Sequence, residues 1–192
     1  MKTLFLVMDM MNDLVAEDGF SARSYGVQVR ERGVLENTRA AIAAARAAGV
    51  PVGYVRVGFS SDYREAPESS PIFSGARKNG IFQLGTPGTE VHPALAPQPG
   101  DFDIVKHRVS PFYATSLEAI LRANRVQRLV LSGVSTNGVV HSGARDAHDR
   151  DYDVVILEDC CAGATPEEHR DALSCLARYA RIIPSPQYDW AG

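Results

Sequence analysis

Six short apolar runs punctuate the chain, at Leu4–Met8, Val52–Val57, Phe102–Val105, Leu129–Val134, Val154–Leu157 and Arg181–Ile183. They lack the polar alternation of a half-exposed strand, as strands covered by helices on both faces should. Several of the intervals between them carry helical spacing instead. Val34–Ala48 stops at Gly49 with Pro51 just beyond, an ordinary helix end. Ser116–Asn124, Thr136–Arg150 and Pro166–Tyr179 fill the later gaps; the last has Thr165 as N-cap, Pro166 in the first helical position and Glu168 in the capping-box position. Strand then helix, repeated, predicts an α/β fold: a mainly parallel sheet of about six strands with helices on both faces. One interval breaks the rhythm. Gly58–Gly100 is rich in Gly, Pro and Ser, as in SSDYREAPESSP and LGTPGTE, and far exceeds the roughly 2–6 residues usual for a connection in such folds. A lid or substrate loop and a plain surface insertion both fit it.

The length of 192 residues fits a single domain spanning 1–192. The run before Asp9 is only five residues, short of the apolar core of a signal peptide, and no stretch approaches the roughly 18 apolar residues of a membrane span. A soluble protein without a membrane partner is expected. Twenty basic against twenty-three acidic residues, net charge -3, offer no electrostatic footprint for a nucleic acid. The three cysteines, Cys160, Cys161 and Cys175, are odd in number and lack metal-ribbon spacing, which disfavours a disulfide scaffold and fits a reducing cytoplasm.

In open parallel sheets ligands bind beyond the carboxyl ends of the strands, so polar residues there are the candidates. Asp9 follows the first run directly, and Lys106, one of only three lysines, follows the third. They could be an active pair, a buried structural ion pair or two solvated rim residues. The third such end, Gly133-Val134-Ser135-Thr136-Asn137-Gly138-Val139-Val140, runs from strand into helix through small polar residues. Amides at that helix start could hold an anion or a developing oxyanion, or Ser135 and Thr136 could simply cap the helix.

Taken in order, VMDMMND, GTPGTEVHPALAPQPGD, VKHRVSPFYATSL, GVSTNGVVHSGARDAHDRDYDVVILEDCCAG and the EEHRDAL helix resemble the isochorismatase-like superfamily, the cysteine hydrolases, over nearly the whole chain. The resemblance implies a Rossmann-like three-layer α/β/α fold and an Asp–Lys–Cys triad at the strand ends. Asp9 matches the acid and Lys106 the lysine. The cysteine position is occupied by Val139, and Met11 stands where the family usually has Gln. Valine cannot form the acyl-enzyme of the family's amidases. Isochorismatases proper also lack the thiol and cleave an enol ether by acid chemistry, which needs no nucleophile. The resemblance therefore implies a hydrolase of a small metabolite that uses Asp9 and Lys106 without a cysteine, Asp9 acting as acid or base. Two alternatives stand beside it: a catalytically silent homologue that binds a small ligand or a partner, and an amidase with Cys160 or Cys161 as a displaced nucleophile.

By the same resemblance Phe112 and Tyr113 match the aromatic segment lining the pocket, and Ser135, Asn137, Gly138 and Val139 the turn that faces substrate. The Val134–Ser135 peptide aligns with a cis bond of the family. A homo-oligomer, dimer or tetramer, is implied too. No cofactor is expected. His141 and His148 are two turns apart, roughly 10.5 Å along a helix, too far to share a metal, and no D-x-H-x-H arrangement involves His92 or His107, so no metal site is expected.

Overall fold

The computed structural model describes residues 1–192. Six strands form one parallel sheet: β1 (Thr3–Met8), β2 (Val52–Val57), β3 (Phe102–Lys106), β4 (Arg128–Val134), β5 (Asp153–Ala162) and β6 (Arg181–Ile183), in the spatial order β3-β2-β1-β4-β5-β6. Seven helices accompany them: α1 (Asn12–Val15), α2 (Tyr25–Glu31), α3 (Val34–Ala47), α4 (Ala76–Asn79), α5 (Leu117–Ala123), α6 (His141–His148) and α7 (Pro166–Leu176). The fold is the expected Rossmann-like α/β/α.

Side chains of a strand point alternately to its two faces, and each face here has its own core. Phe5 and Val7 of β1 join Tyr54, Val130 and Leu157 under Val34, Ile42 and Ala45 of α3. Leu4, Leu6 and Met8 join Ile104, Leu131 and Ile156 under Leu117, Leu121, Ala144 and Leu176. Burial on both sides is why the strand segments read as unbroken apolar runs.

Three elements differ from the pattern. β5 runs five residues beyond Leu157 because a bulge between Leu131 and Gly133 lets it re-pair with the end of β4. Thr136–Arg150 is not one helix: a π turn over Thr136–Val140 precedes α6. At α7 the Thr165 hydroxyl accepts from the Glu168 amide, while the Glu168 carboxylate turns to the Ala164 amide.

The long segment is packed, not loose. Phe59, Tyr63, Phe73, Phe82 and Leu95 are buried in the α3-side core. It is tied to the residues after β1 at several points. Met11 pairs with Val91, the Asn12 side chain donates to the Pro87 carbonyl at 2.8 Å, and the Phe82 amide donates to the Asp13 carboxylate at 2.8 Å. Met11 itself is fully buried, so the apolar residue at this position serves packing.

Candidate active site

The chain steps from β1 outward through β2 to β3, then returns to the other side of β1 with β4. The crevice of such a sheet opens at this reversal, beyond the carboxyl ends of β1 and β4. Asp9 is the first residue past β1. Its φ of 57° is a left-handed conformation that Asp tolerates, and its amide donates to the Val55 carbonyl at 2.7 Å. The Asp9 carboxylate meets the ends of the next two strands. The amide of Val57, last in β2, donates to Oδ1 at 2.9 Å, and Nζ of Lys106, last in β3, lies 2.9 Å from Oδ2. Lys106 Nζ also donates to the Arg108 carbonyl at 3.0 Å. Both side chains are almost fully buried. Burial pushes the Asp9 carboxyl above the usual carboxylate range, against the pull of the Lys106 ammonium and the Val57 amide.

The other wall is the turn after β4. Gly133 adopts φ 154°, and a Cβ there would sit 2.4 Å from the Met8 carbonyl oxygen, so only glycine lets β4 close against β1 at the crevice. The Val134–Ser135 peptide is cis. Ser135, Gly138 and Val139 line the cleft together with Asp9 and Lys106. Gly138 makes room for Ser135, whose Oγ a Cβ would meet at 2.6 Å. Thr136 turns away and bonds Nδ1 of buried His169 at 2.8 Å, which ties the turn to α7. Burial holds the His169 imidazole down at about 4, with Arg32 adding to the effect.

Three residues expected at the pocket lie outside it. Asn137 is exposed and donates to Glu168 at 3.2 Å, on the α7 side of the turn. Phe112 belongs to the α5/α6-side core, stacked on Tyr152 and beneath the Arg150 guanidinium. Tyr113 is 64% exposed. The aromatic wall comes instead from Phe20 and Tyr25, which precede or open α2, and from Phe73 and Phe82 of the long segment; Ile72 and Ile81 accompany them. Apolar residues standing out in an otherwise polar Gly58–Gly100 were the available signal for half of that wall. The cleft holds a volume of about 190 Å³.

Neither Cys160 nor Cys161 reaches this cleft. They sit in β5 on opposite faces, each fully buried. Burial and the neighbouring Asp159 carboxylate push the Cys160 thiol up to about 12, and burial lifts Cys161 well above the ordinary thiol range. A thiolate is the nucleophile, so neither is armed. No group of three or more His, Cys, Asp or Glu side chains is placed to hold a metal ion, and no helix is long and apolar enough to cross a membrane.

The chain matches known proteins over nearly its full length. Residues 3–187 match the isochorismatase domain. Ureidoacrylate amidohydrolase RutB of Methylobacterium radiotolerans is 36% identical over 191 residues, 92% of this chain and 74% of that protein. Among solved structures, an isochorismatase family protein from Desulfovibrio vulgaris superposes with a TM-score of 0.85 at 27% identity, covering 96% of this chain and 95% of that one. N-carbamoylsarcosine amidase from Thermoplasma acidophilum superposes with a TM-score of 0.79 at 29% identity, covering 98% and 99%. The chain belongs to the isochorismatase family and is a hydrolase of that family.

Proposed function

We propose that the protein hydrolyses a small amide- or urea-type metabolite with Asp9 as general base and Lys106 as its electrostatic partner, without a cysteine nucleophile. The observation that carries this reading is the 2.9 Å Asp9–Lys106 pair, buried at the floor of a cleft whose cysteine position holds Val139. Both Asp9 oxygens accept hydrogen bonds, from Val57 and Lys106, which favours the carboxylate and hence the base. In this reading Asp9 takes a proton from a water whose oxygen bonds to the substrate carbonyl carbon. Lys106 donates to the oxyanion that forms, the C–N bond breaks, and the proton passes from Asp9 to the leaving nitrogen. The products are the acid, or carbamic acid, and ammonia or an amine. The relatives named amidohydrolase and amidase support amide chemistry.

A second reading has one observation behind it. Burial raises Asp9 toward the protonated form, as a general acid on an enol ether requires. The two roles give opposite pH limbs: kcat/KM falls toward acid pH through the raised Asp9 pKa for the base, and falls toward alkaline pH for the acid. The test is a panel of small amides, ureas and enol ethers. Asp9→Asn should lower kcat on the true substrate by about 10²–10⁴-fold; unchanged turnover removes Asp9 from the reaction, and saturable binding with no product by mass spectrometry identifies a silent homologue. Three cysteines outside any disulfide support the cytoplasm as its compartment, and the family resemblance supports assembly into a dimer or tetramer.

A further inference from the structure

The cleft's lining contains two charged side chains, Asp9 and Lys106, and they neutralise each other. An ammonium has three N–H donors. Two are already engaged, by Asp9 Oδ2 and the Arg108 carbonyl, which leaves one for a single acceptor such as a carbonyl oxygen. No arginine lines the cleft. A substrate carboxylate would therefore leave water with no unpaired cation to receive it, and a dicarboxylate would do so twice.

The remaining wall points the same way. Eleven of the sixteen lining residues are hydrophobic, so binding must come mostly from burying an apolar body. The volume of about 190 Å³ suits a single ring or a branched chain of similar bulk, since an apolar cavity of roughly 150 Å³ holds benzene. At the mouth stand Phe20 and Ile72, 56% and 59% exposed, brought together from two separate loops. They are two of the four large hydrophobics the molecule leaves exposed, and an apolar tail lying between them would cover both.

We propose that the cleft selects uncharged carboxamides and N-carbamoyl compounds with an apolar body of single-ring size, and rejects their carboxylated counterparts. This rests on the reading of the cleft as the catalytic site.

The test pairs binding with turnover. Calorimetry on the wild-type protein compares benzamide with 4-carboxybenzamide, and the series butyramide, pentanamide, hexanamide with adipic acid monoamide. The neutral member of each pair should bind at least tenfold more tightly, and each methylene of the series should tighten binding about three- to fourfold. Ile72→Arg, which sets a cation at the mouth, should reduce the discrimination against adipic acid monoamide. Equal or tighter binding of the carboxylates, an affinity flat with chain length, or no saturable binding of either set overturns the proposal. Product analysis on the same compounds separates the two claims. Neutral ligands bound but never turned over sink the catalytic reading and leave the selectivity standing. Turnover confined to carboxylated substrates does the reverse.

Discussion

Lys106→Met keeps the length and apolar stem of the side chain and deletes its charge, which strands the Asp9 carboxylate in a site where both partners are almost fully buried. Removing one partner of a buried ion pair costs about 3–5 kcal/mol because the other charge remains desolvated. At about 2–4 °C per kcal/mol for a chain of this size, the melting temperature should drop by roughly 6–20 °C at pH 8. The pH dependence identifies the cause. Burial already holds Asp9 above its ordinary value with Lys106 present, and without the ammonium its folded-state pKa climbs further. A carboxyl with a raised folded pKa is destabilising when ionised. The deficit is therefore full above the folded pKa and shrinks, by up to about 1.4 kcal/mol per pH unit, as pH falls toward the unfolded value near 3.9. Urea titrations of wild type and variant at pH 8, 7, 6 and 5, with differences taken at each pH, measure this. Asp9→Asn combined with Lys106→Met should recover most of the loss. A deficit constant with pH, or a double variant no more stable than Lys106→Met, would refute the electrostatic account and leave lost packing of the lysine stem as the cause.

Other expectations follow from single residues. His169 is buried neutral with its pKa held down at about 4, below its ordinary 6.5. It therefore disfavours proton uptake, and wild-type stability should fall as pH drops from 6.5 toward 4; His169→Gln should flatten that fall in urea midpoints, and an unchanged slope would contradict it. Gly133→Ala would place a Cβ 2.4 Å from the Met8 carbonyl at φ 154°, and should cost at least about 1–3 kcal/mol from the backbone conformation alone, measured as a lowered denaturation midpoint. Native thiol titration at pH 8 should find one reactive cysteine, the exposed Cys175, because Cys160 and Cys161 are buried with raised pKa values. Val139→Cys should add a second thiol that reacts more slowly than Cys175, since residue 139 borders the cleft but is only 2% exposed; a count that stays at one even under prolonged labelling would show that the cleft does not admit the reagent to this position.

The strands were legible because burial on both faces leaves continuous apolar runs, and Asp9 and Lys106 were legible because they end two of those runs beside the crevice. What the pattern could not carry was tertiary. β5 reaches Ala162 only because a bulge in its pairing with β4 re-registers it, so Cys160 and Cys161, which come after the apolar run Val154–Leu157, lie inside the strand. Phe112 follows a strand end as a pocket residue would, yet packs in the α5/α6-side core. The aromatic wall is assembled from Phe20, Tyr25, Phe73 and Phe82, residues far apart in sequence whose meeting depends on hydrogen bonds such as Phe82 amide to Asp13. No local periodicity encodes that meeting.

The central claim is hydrolysis by the Asp9–Lys106 pair without any thiol. Its most direct measurement is kcat/KM of the Cys160→Ala/Cys161→Ala/Cys175→Ala triple variant, folded by circular dichroism, on a substrate found in the amide, urea and enol-ether panel, with and without Asp9→Asn. The account predicts that the cysteine-free protein retains wild-type kcat/KM to within a few-fold and that Asp9→Asn in the same background lowers it by about 10²–10⁴-fold. Loss of activity with the cysteines, or undiminished activity without Asp9, would contradict it.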